Sequence, residues 1–197
     1  RFSIGSFSYG YKIEKIFESS SNSILDSKKL TKQNESSITL IIKSIKKGNK
    51  VILFGNGGSA ADAQHIAAEL IGRYKIERES IPAVSLTTDT SILSSLSNDY
   101  SFETIFSRQC ESLVEKNDIV IAISTSGNSK NVINGIITAK KKGAKIIGLL
   151  GNNGGEMKNL IDIPIIVNSS STDKIQEVHR IIYHIICDLI EQKISSN

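Results

Sequence analysis

Val51-Ile52-Leu53-Phe54-Gly55-Asn56-Gly57-Gly58-Ser59 is a short unbroken apolar run that stops in a glycine-rich turn. A run of that kind suits a strand buried on both faces of a parallel sheet. The pattern that follows, Ala60–Arg73, has helical periodicity. The same event recurs at Ile119–Ile123, which runs into Ser124-Thr125-Ser126-Gly127-Asn128-Ser129 and then a helical stretch at Val132–Lys142. Three more apolar runs, Ala83–Leu86, Ile146–Leu150 and Ile163–Val167, alternate with helical patterns at Phe102–Glu115 and Lys174–Gln192. Five strands alternating with helices predict an α/β fold: a doubly wound parallel sheet flanked by helices. Ligands of such sheets bind beyond the carboxyl ends of the strands, which directs attention to the segments starting at Gly55, Thr87, Ser124, Gly151 and Asn168.

Residues 1–48 differ in character. Ile13, Ile16, Phe17, Ile24 and Leu25, then Ile38, Ile41, Ile42 and Ile45, follow a period near 3.6 and predict two amphipathic helices. This helical arm must cover either its own sheet or a neighbouring subunit. With no repeat or linker in view, residues 1–48 and 49–197 are read as arm and core of one domain.

The chain has 197 residues, enough to bury a sizeable core without disulfides or a structural metal. Cys110 and Cys187 lack a CxxC spacing and read as buried thiols of a reducing compartment. No apolar stretch approaches the roughly 20 residues of a membrane span, and no signal peptide is evident. A cytoplasmic protein without a membrane partner is therefore expected. The formal charge of +4 is spread among interspersed acids, aromatics make up 6%, and Trp is absent. Nucleic-acid binding would need a basic stripe with aromatic interleaving, and none is present.

The two loops carry the first chemistry. Glycines admit close backbone approach, and a helix N-terminus offers unpaired N–H groups to an anion. The first loop is neither a Walker loop, lacking Gly-Lys-Ser/Thr, nor a dinucleotide fingerprint, since its glycine spacing is wrong. A plain tight turn is its bland alternative. The second loop has four hydroxyls where an N-cap needs one, which makes a phosphate cradle of neutral donors.

All three histidines fall on two helices. His65 and Glu69 are four apart and share a helix face, with Asp62 one turn earlier. Such a pair is often a surface contact, but next to a ligand loop it suits metal binding or proton transfer. The last helix carries Gln176, Glu177, His179, Arg180 and His184 on a largely apolar background. Gln176 and His184 lie about 12 Å apart along that helix. They serve one small site only through bent geometry, long reach, or different subunits. Asn98-Asp99 follow a Ser-rich helical stretch and suit either a turn or contacts with sugar hydroxyls.

Six segments, GNGGSAADAQHIAAE (55–69), TTDTSI (87–92), NDY (98–100), ISTSGNSKNV (123–132), GNNGGEM (151–157) and KIQEVHRIIYHII (174–186), resemble those of the phosphoheptose isomerases of the sugar-isomerase (SIS) domain superfamily. The resemblance covers about residues 50–191 and implies an aldose–ketose isomerase converting sedoheptulose 7-phosphate to D-glycero-D-manno-heptose 7-phosphate for bacterial surface glycans. It implies a homotetramer with sites at subunit contacts. Phosphate contacts fall on Ser59, Ser124, Thr125, Ser126 and Ser129, and further substrate contacts on Asn56, Gly57, Gly58, Asn98, Asp99 and Gln176. Glu69 matches the catalytic carboxylate and His184 the catalytic imidazole. Zinc (Zn2+) ligands fall on His65, Glu69, Gln176 and His184. Residues 168–173 depart from the family pattern, being polar where Pro and apolar residues are expected. Two rivals are a non-enzymatic relative that associates with the replication initiator, and an SIS-type regulator or isomerase of another sugar phosphate. The first keeps the fold without the catalytic residues, and those are present here.

Overall fold

A computed structural model describes residues 9–196. Helices α1 (Tyr9–Asp26) and α2 (Thr31–Ile45) precede strand β1 (Val51–Gly55). Then come α3 (Gly58–Ile71), β2 (Ala83–Ser85), α4 (Thr90–Asp99), α5 (Ile105–Leu113), β3 (Ile119–Ser124), α6 (Lys130–Lys141), β4 (Lys145–Gly151), β5 (Ile163–Val167) and α7 (Thr172–Ser195). Residues 1–8 of the expected arm lie outside the described residues.

The five strands form one parallel sheet in the order β2-β1-β3-β4-β5. Successive side chains of a strand point to opposite faces, and β1 sorts its residues accordingly. Val51 and Leu53 join Ile41, Ile66, Leu70, Ile121, Ile175 and Tyr183 in one core layer. Ile52 and Phe54 join Phe106, Val120, Ile136 and Ile146 in the other. Both layers are closed by helices, so the predicted doubly wound fold is the observed one. Chain direction along the sheet reverses between β1 and β3. Such a switch point opens a crevice at the carboxyl edge, and the loops 55–59 and 124–129 both leave from it.

Local differences from the sequence reading have physical causes. The expected helix Phe102–Glu115 is a single 3-10 turn, Phe102–Thr104, followed by α5. Asn98 and Asp99 close α4 instead of forming a turn after it. Helix α3 starts at Gly58, two residues early, because Gly57 takes φ 55° and turns the chain into the helix. No residue of α1 is buried, and Tyr11, Ile13, Ile16, Phe17 and Leu25 are exposed along it. Among the described residues no helix is long and apolar enough to cross a membrane. Cys110 and Cys187 are free and buried.

Candidate active site

In the second loop Ser129 occupies the N-cap position of α6 yet makes no side-chain cap bond. Its hydroxyl instead lies 3.2 Å from Ser124 Oγ, which is 3.5 Å from Ser126 Oγ. The backbone N–H of Gly127 donates to Ser124 Oγ, and that of Asn128 to Ser126 Oγ. Three hydroxyls thus converge at a helix N-terminus, where partial positive charge favours an anion. The segment after β4 braces this loop. Met157 N–H donates to the Gly127 carbonyl at 3.0 Å, Glu156 N–H to Asn128 Oδ1 at 2.9 Å, and Asn152 Nδ2 to the Thr125 carbonyl at 3.0 Å. Gly127, at φ 67°, packs so closely on Gly154 that a side chain there would collide with backbone.

The first loop is tied to the second by Asn56 and Asn131, whose amides exchange two 2.9 Å hydrogen bonds. Ser59 is buried at the start of α3. Gly58 has no side chain because Gln176, reaching over from α7, fills that space. A Cβ on Gly58 would stand 2.5 Å from Gln176 Nε2.

Further along the same two helices lies a second group. His65 Nε2 is 2.9 Å from Glu69 Oε1, and the His184 ring sits 5.2 Å from that of His65. One ligating atom each from His65, Glu69 and His184 lie within 4.8 Å of one another. Burial first, and then the nearness of His65, lower the His184 pKa, which favours the electron-pair-donating form of its imidazole. Two tyrosines flank these rings. Tyr183 stacks edge-on against His184 at 4.8 Å, and Tyr74 is tilted over it at 5.7 Å. Tyr74 is held by Glu191, whose carboxylate accepts the N–H groups of Tyr74 at 2.8 Å, Lys75 at 2.5 Å and Ile76 at 3.0 Å. Burial raises the Glu191 pKa, but these donors and Arg78 outweigh it and the net shift is downward. Arg78 in turn caps α3 by donating to the carbonyls of Glu69 and Leu70.

The structure therefore gathers the predicted residues into two groups in one protomer. Asn56, Gly57, Gly58, Ser59, Gln176, Ser124, Thr125, Ser126 and Ser129 lie at the loops, whereas His65, Glu69 and His184 lie further along the helices. Helical rise separates Ser59 from Glu69 by about 15 Å, and Gln176 from His184 by about 12 Å. Asn98 and Asp99 are exposed and bonded to each other at 2.9 Å. The polar departure at residues 168–170 lines an open cleft of about 770 Å³ with Ser126, Asn128, Asn152 and Asn153. Sequence reasoning missed Asn131, Tyr74 and Tyr183. Asn131 carries a weak signal, a polar residue on the buried face of α6, but nothing local to the tyrosines marks them.

Two imidazoles and a carboxylate converging on one point are a donor set that fits zinc, with three protein ligands and room for a fourth. Exposed acidic groups alone would not make that case. These three are half-buried.

Three hydroxyls converging at a helix N-terminus, at the switch point of a five-stranded parallel sheet, are the frame of a domain of the SIS type. The chain matches the family model described as SIS domain over residues 17–151. It is 51% identical over 183 residues to the phosphoheptose isomerase of Sulfurimonas denitrificans, covering 93% of each chain. The solved phosphoheptose isomerase from Neisseria gonorrhoeae superposes with a TM-score of 0.88 at 35% identity, covering 92% of this chain and 98% of that one. The Francisella tularensis phosphoheptose isomerase gives 0.89 at 33% identity, covering 92% and 97%. This chain belongs to the phosphoheptose isomerase family and is an isomerase. The family model ends before α7, so His184 and Gln176 are covered only by the longer likenesses.

Proposed function

We propose that the chain converts sedoheptulose 7-phosphate to D-glycero-D-manno-heptose 7-phosphate by a proton shift between C1 and C2 through an enediol, supplying heptose for a surface glycan. The observation that carries this reading is the convergence of Glu69, His65 and His184 on the helix that leaves the phosphate loop. Ser59, Ser124, Thr125, Ser126 and Ser129 hold the phosphate through neutral donors. Asn56, Gly57, Gly58, Gln176, Asn98 and Asp99 hold the sugar, and the polar cleft bordered by residues 168–170 suits its hydroxyls. A proton alpha to a carbonyl is weakly acidic and needs a base in contact with it. Glu69 moves that carbon-bound proton, and the neutral His184 exchanges the proton on oxygen.

His65, Glu69 and His184 would hold a zinc ion, with Gln176 of another subunit as fourth ligand. When bound, such an ion supplies a Lewis acid that polarises the carbonyl and its neighbouring hydroxyl. The 12–15 Å between the two groups of residues supports a site shared between subunits, in which one copy offers its loops and another its His–Glu group. The exposed apolar face of α1 supports subunit assembly, and the full reading is a cytoplasmic homotetramer in which the arm, residues 1–48, is part of the domain formed with 49–197.

The test is incubation with sedoheptulose 7-phosphate and NMR detection of the product. Appearance of an aldoheptose phosphate is expected. No product at high enzyme concentration would overturn the assignment in favour of a sugar-phosphate binder.

A further inference from the structure

Behind the His–Glu group lies a buried polar chain that the proposed reaction does not use. Asp62 stands one turn before His65 on α3, and α7 presents Arg180 and Tyr183 to it. Asp62 is 2% exposed and Tyr183 1%. The Tyr183 hydroxyl lies 3.1 Å from Asp62 Oδ1 and 3.0 Å from His65 Nδ1. Arg180 Nη2 donates to the same Oδ1 at 3.2 Å. On the far side of the ring, His65 Nε2 faces Glu69 Oε1 at 2.9 Å.

Counting protons along this chain decides the histidine. A phenol has one hydrogen, and an ionised carboxylate only accepts. The Tyr183 hydrogen therefore goes to Asp62, and its oxygen has only lone pairs left for His65. The 3.0 Å contact is then a hydrogen bond only if Nδ1 carries the imidazole proton. The opposite arrangement, with Tyr183 donating to Nδ1, would leave two buried oxygens, phenol and carboxylate, 3.1 Å apart with no proton between them. With Nδ1 protonated, the Nε2 lone pair of a neutral ring points at Glu69. Nε2 and the Glu69 carboxylate are then two electron-pair donors 2.9 Å apart, a pair that a shared cation would stabilise, and the His184 imidazole opens onto the same point.

We propose that Tyr183, oriented by Asp62, is a positioning residue that holds His65 as its Nδ1–H tautomer, so that Nε2 is offered as an electron-pair donor to a divalent cation shared with Glu69 and His184. The inference rests on the metal reading above. The hydroxyl touches neither cation nor substrate and acts only through His65. A histidine ligand whose other nitrogen donates to a fixed acceptor keeps its ring orientation and tautomer, and loss of such a partner typically weakens metal binding 10–100-fold.

The experiment records long-range proton–nitrogen NMR correlations of the His65 ring in the metal-free full chain at alkaline pH. A proton on Nδ1 is expected in the unaltered protein. Tyr183→Phe, which removes one oxygen from an otherwise retained ring, should move the proton towards Nε2. Asp62→Asn should do the same with the phenol intact, since an amide turned to donate frees the hydroxyl to point at Nδ1. An Nε2 proton in the unaltered protein, or a His65 pattern unchanged in both variants, overturns the positioning role. Zn2+ titration against a chromophoric chelator is run in parallel, and Tyr183→Phe should bind 10–100-fold more weakly while remaining folded by circular dichroism at the titration temperature. Equal affinity in the two proteins also overturns the proposal. Failure of the unaltered protein to bind Zn2+ removes the metal reading instead, while the NMR result still decides what Tyr183 does to His65.

Discussion

Asn56 and Asn131 bind each other through both ends of their amides, each bond 2.9 Å long, and so lock the loop after β1 to the first turn of α6. Asn131 is buried, and its Oδ1 also accepts the N–H of Val132. The two loops, whose tie spans 75 residues of sequence, are thereby held in register.

Asn131→Ala leaves the half-buried Asn56 amide and the Val132 N–H without their partner, a loss worth about 1–3 kcal/mol. A lowered urea midpoint is expected together with weaker binding of sugar phosphate. Calorimetric titration with an unreactive heptose phosphate analogue checks this, and unaltered affinity would contradict the role given to the pair.

Glu69→Gln keeps the size of the side chain and removes its basicity. Turnover should fall about 10²–10⁴-fold, the usual worth of a general base, while substrate binding stays close to normal. Near-normal kcat would sink the assignment of the carboxylate.

Gly58→Ala separates fold from site. The added methyl would meet the flexible end of Gln176, 2.5 Å from Nε2, and not backbone. Alanine is also about 1 kcal/mol better than glycine within a helix. The melting temperature should hold or rise as Gln176 is displaced, with turnover falling at least tenfold. Full activity would exclude Gln176 from the machinery.

His179 is expected to make stability fall with acid. Its Nε2 is bonded to the Leu150 carbonyl at 2.9 Å, Nδ1 has no partner, and burial lowers its pKa from 6.5 to about 4. Between those values the unfolded chain takes up a proton that the native one refuses. This stability is complete above pH 6.5 and is lost as pH falls towards 4, by about 3 kcal/mol at 1.36 kcal/mol per unit. The shift at His184 acts in the same direction. Urea midpoints from pH 7 to pH 4 should decline, and His179→Gln should flatten much of that slope.

Ile16→Glu with Phe17→Glu charges a face of α1 that is exposed in the protomer, at 57% and 70%. The variant should stay folded by circular dichroism, yet sediment as a smaller species and lose isomerase activity. Unchanged sedimentation would remove α1 from subunit assembly.

The sequence by itself determined the class of fold and the position of the two loops at the sheet's carboxyl edge. Five unbroken apolar runs bury both faces inside a helix-covered parallel sheet, and Gly55–Ser59 and Ser124–Ser129 are marked locally by the glycines and hydroxyls that suit strand-to-helix turns. His65 and Glu69 were legible together because helical periodicity is a local property. Tertiary structure alone decided everything that depends on contact between elements. It brought His184 to His65 and Glu69 but left Gln176 beside Gly58, two turns away. It also paired Asn56 with Asn131, and set Tyr183 between Asp62 and His65. These relationships link residues 75 to 121 positions apart. Periodicity says which face of a helix is buried, but the register of one helix on another is set by side-chain packing across the sheet, and no local pattern encodes it.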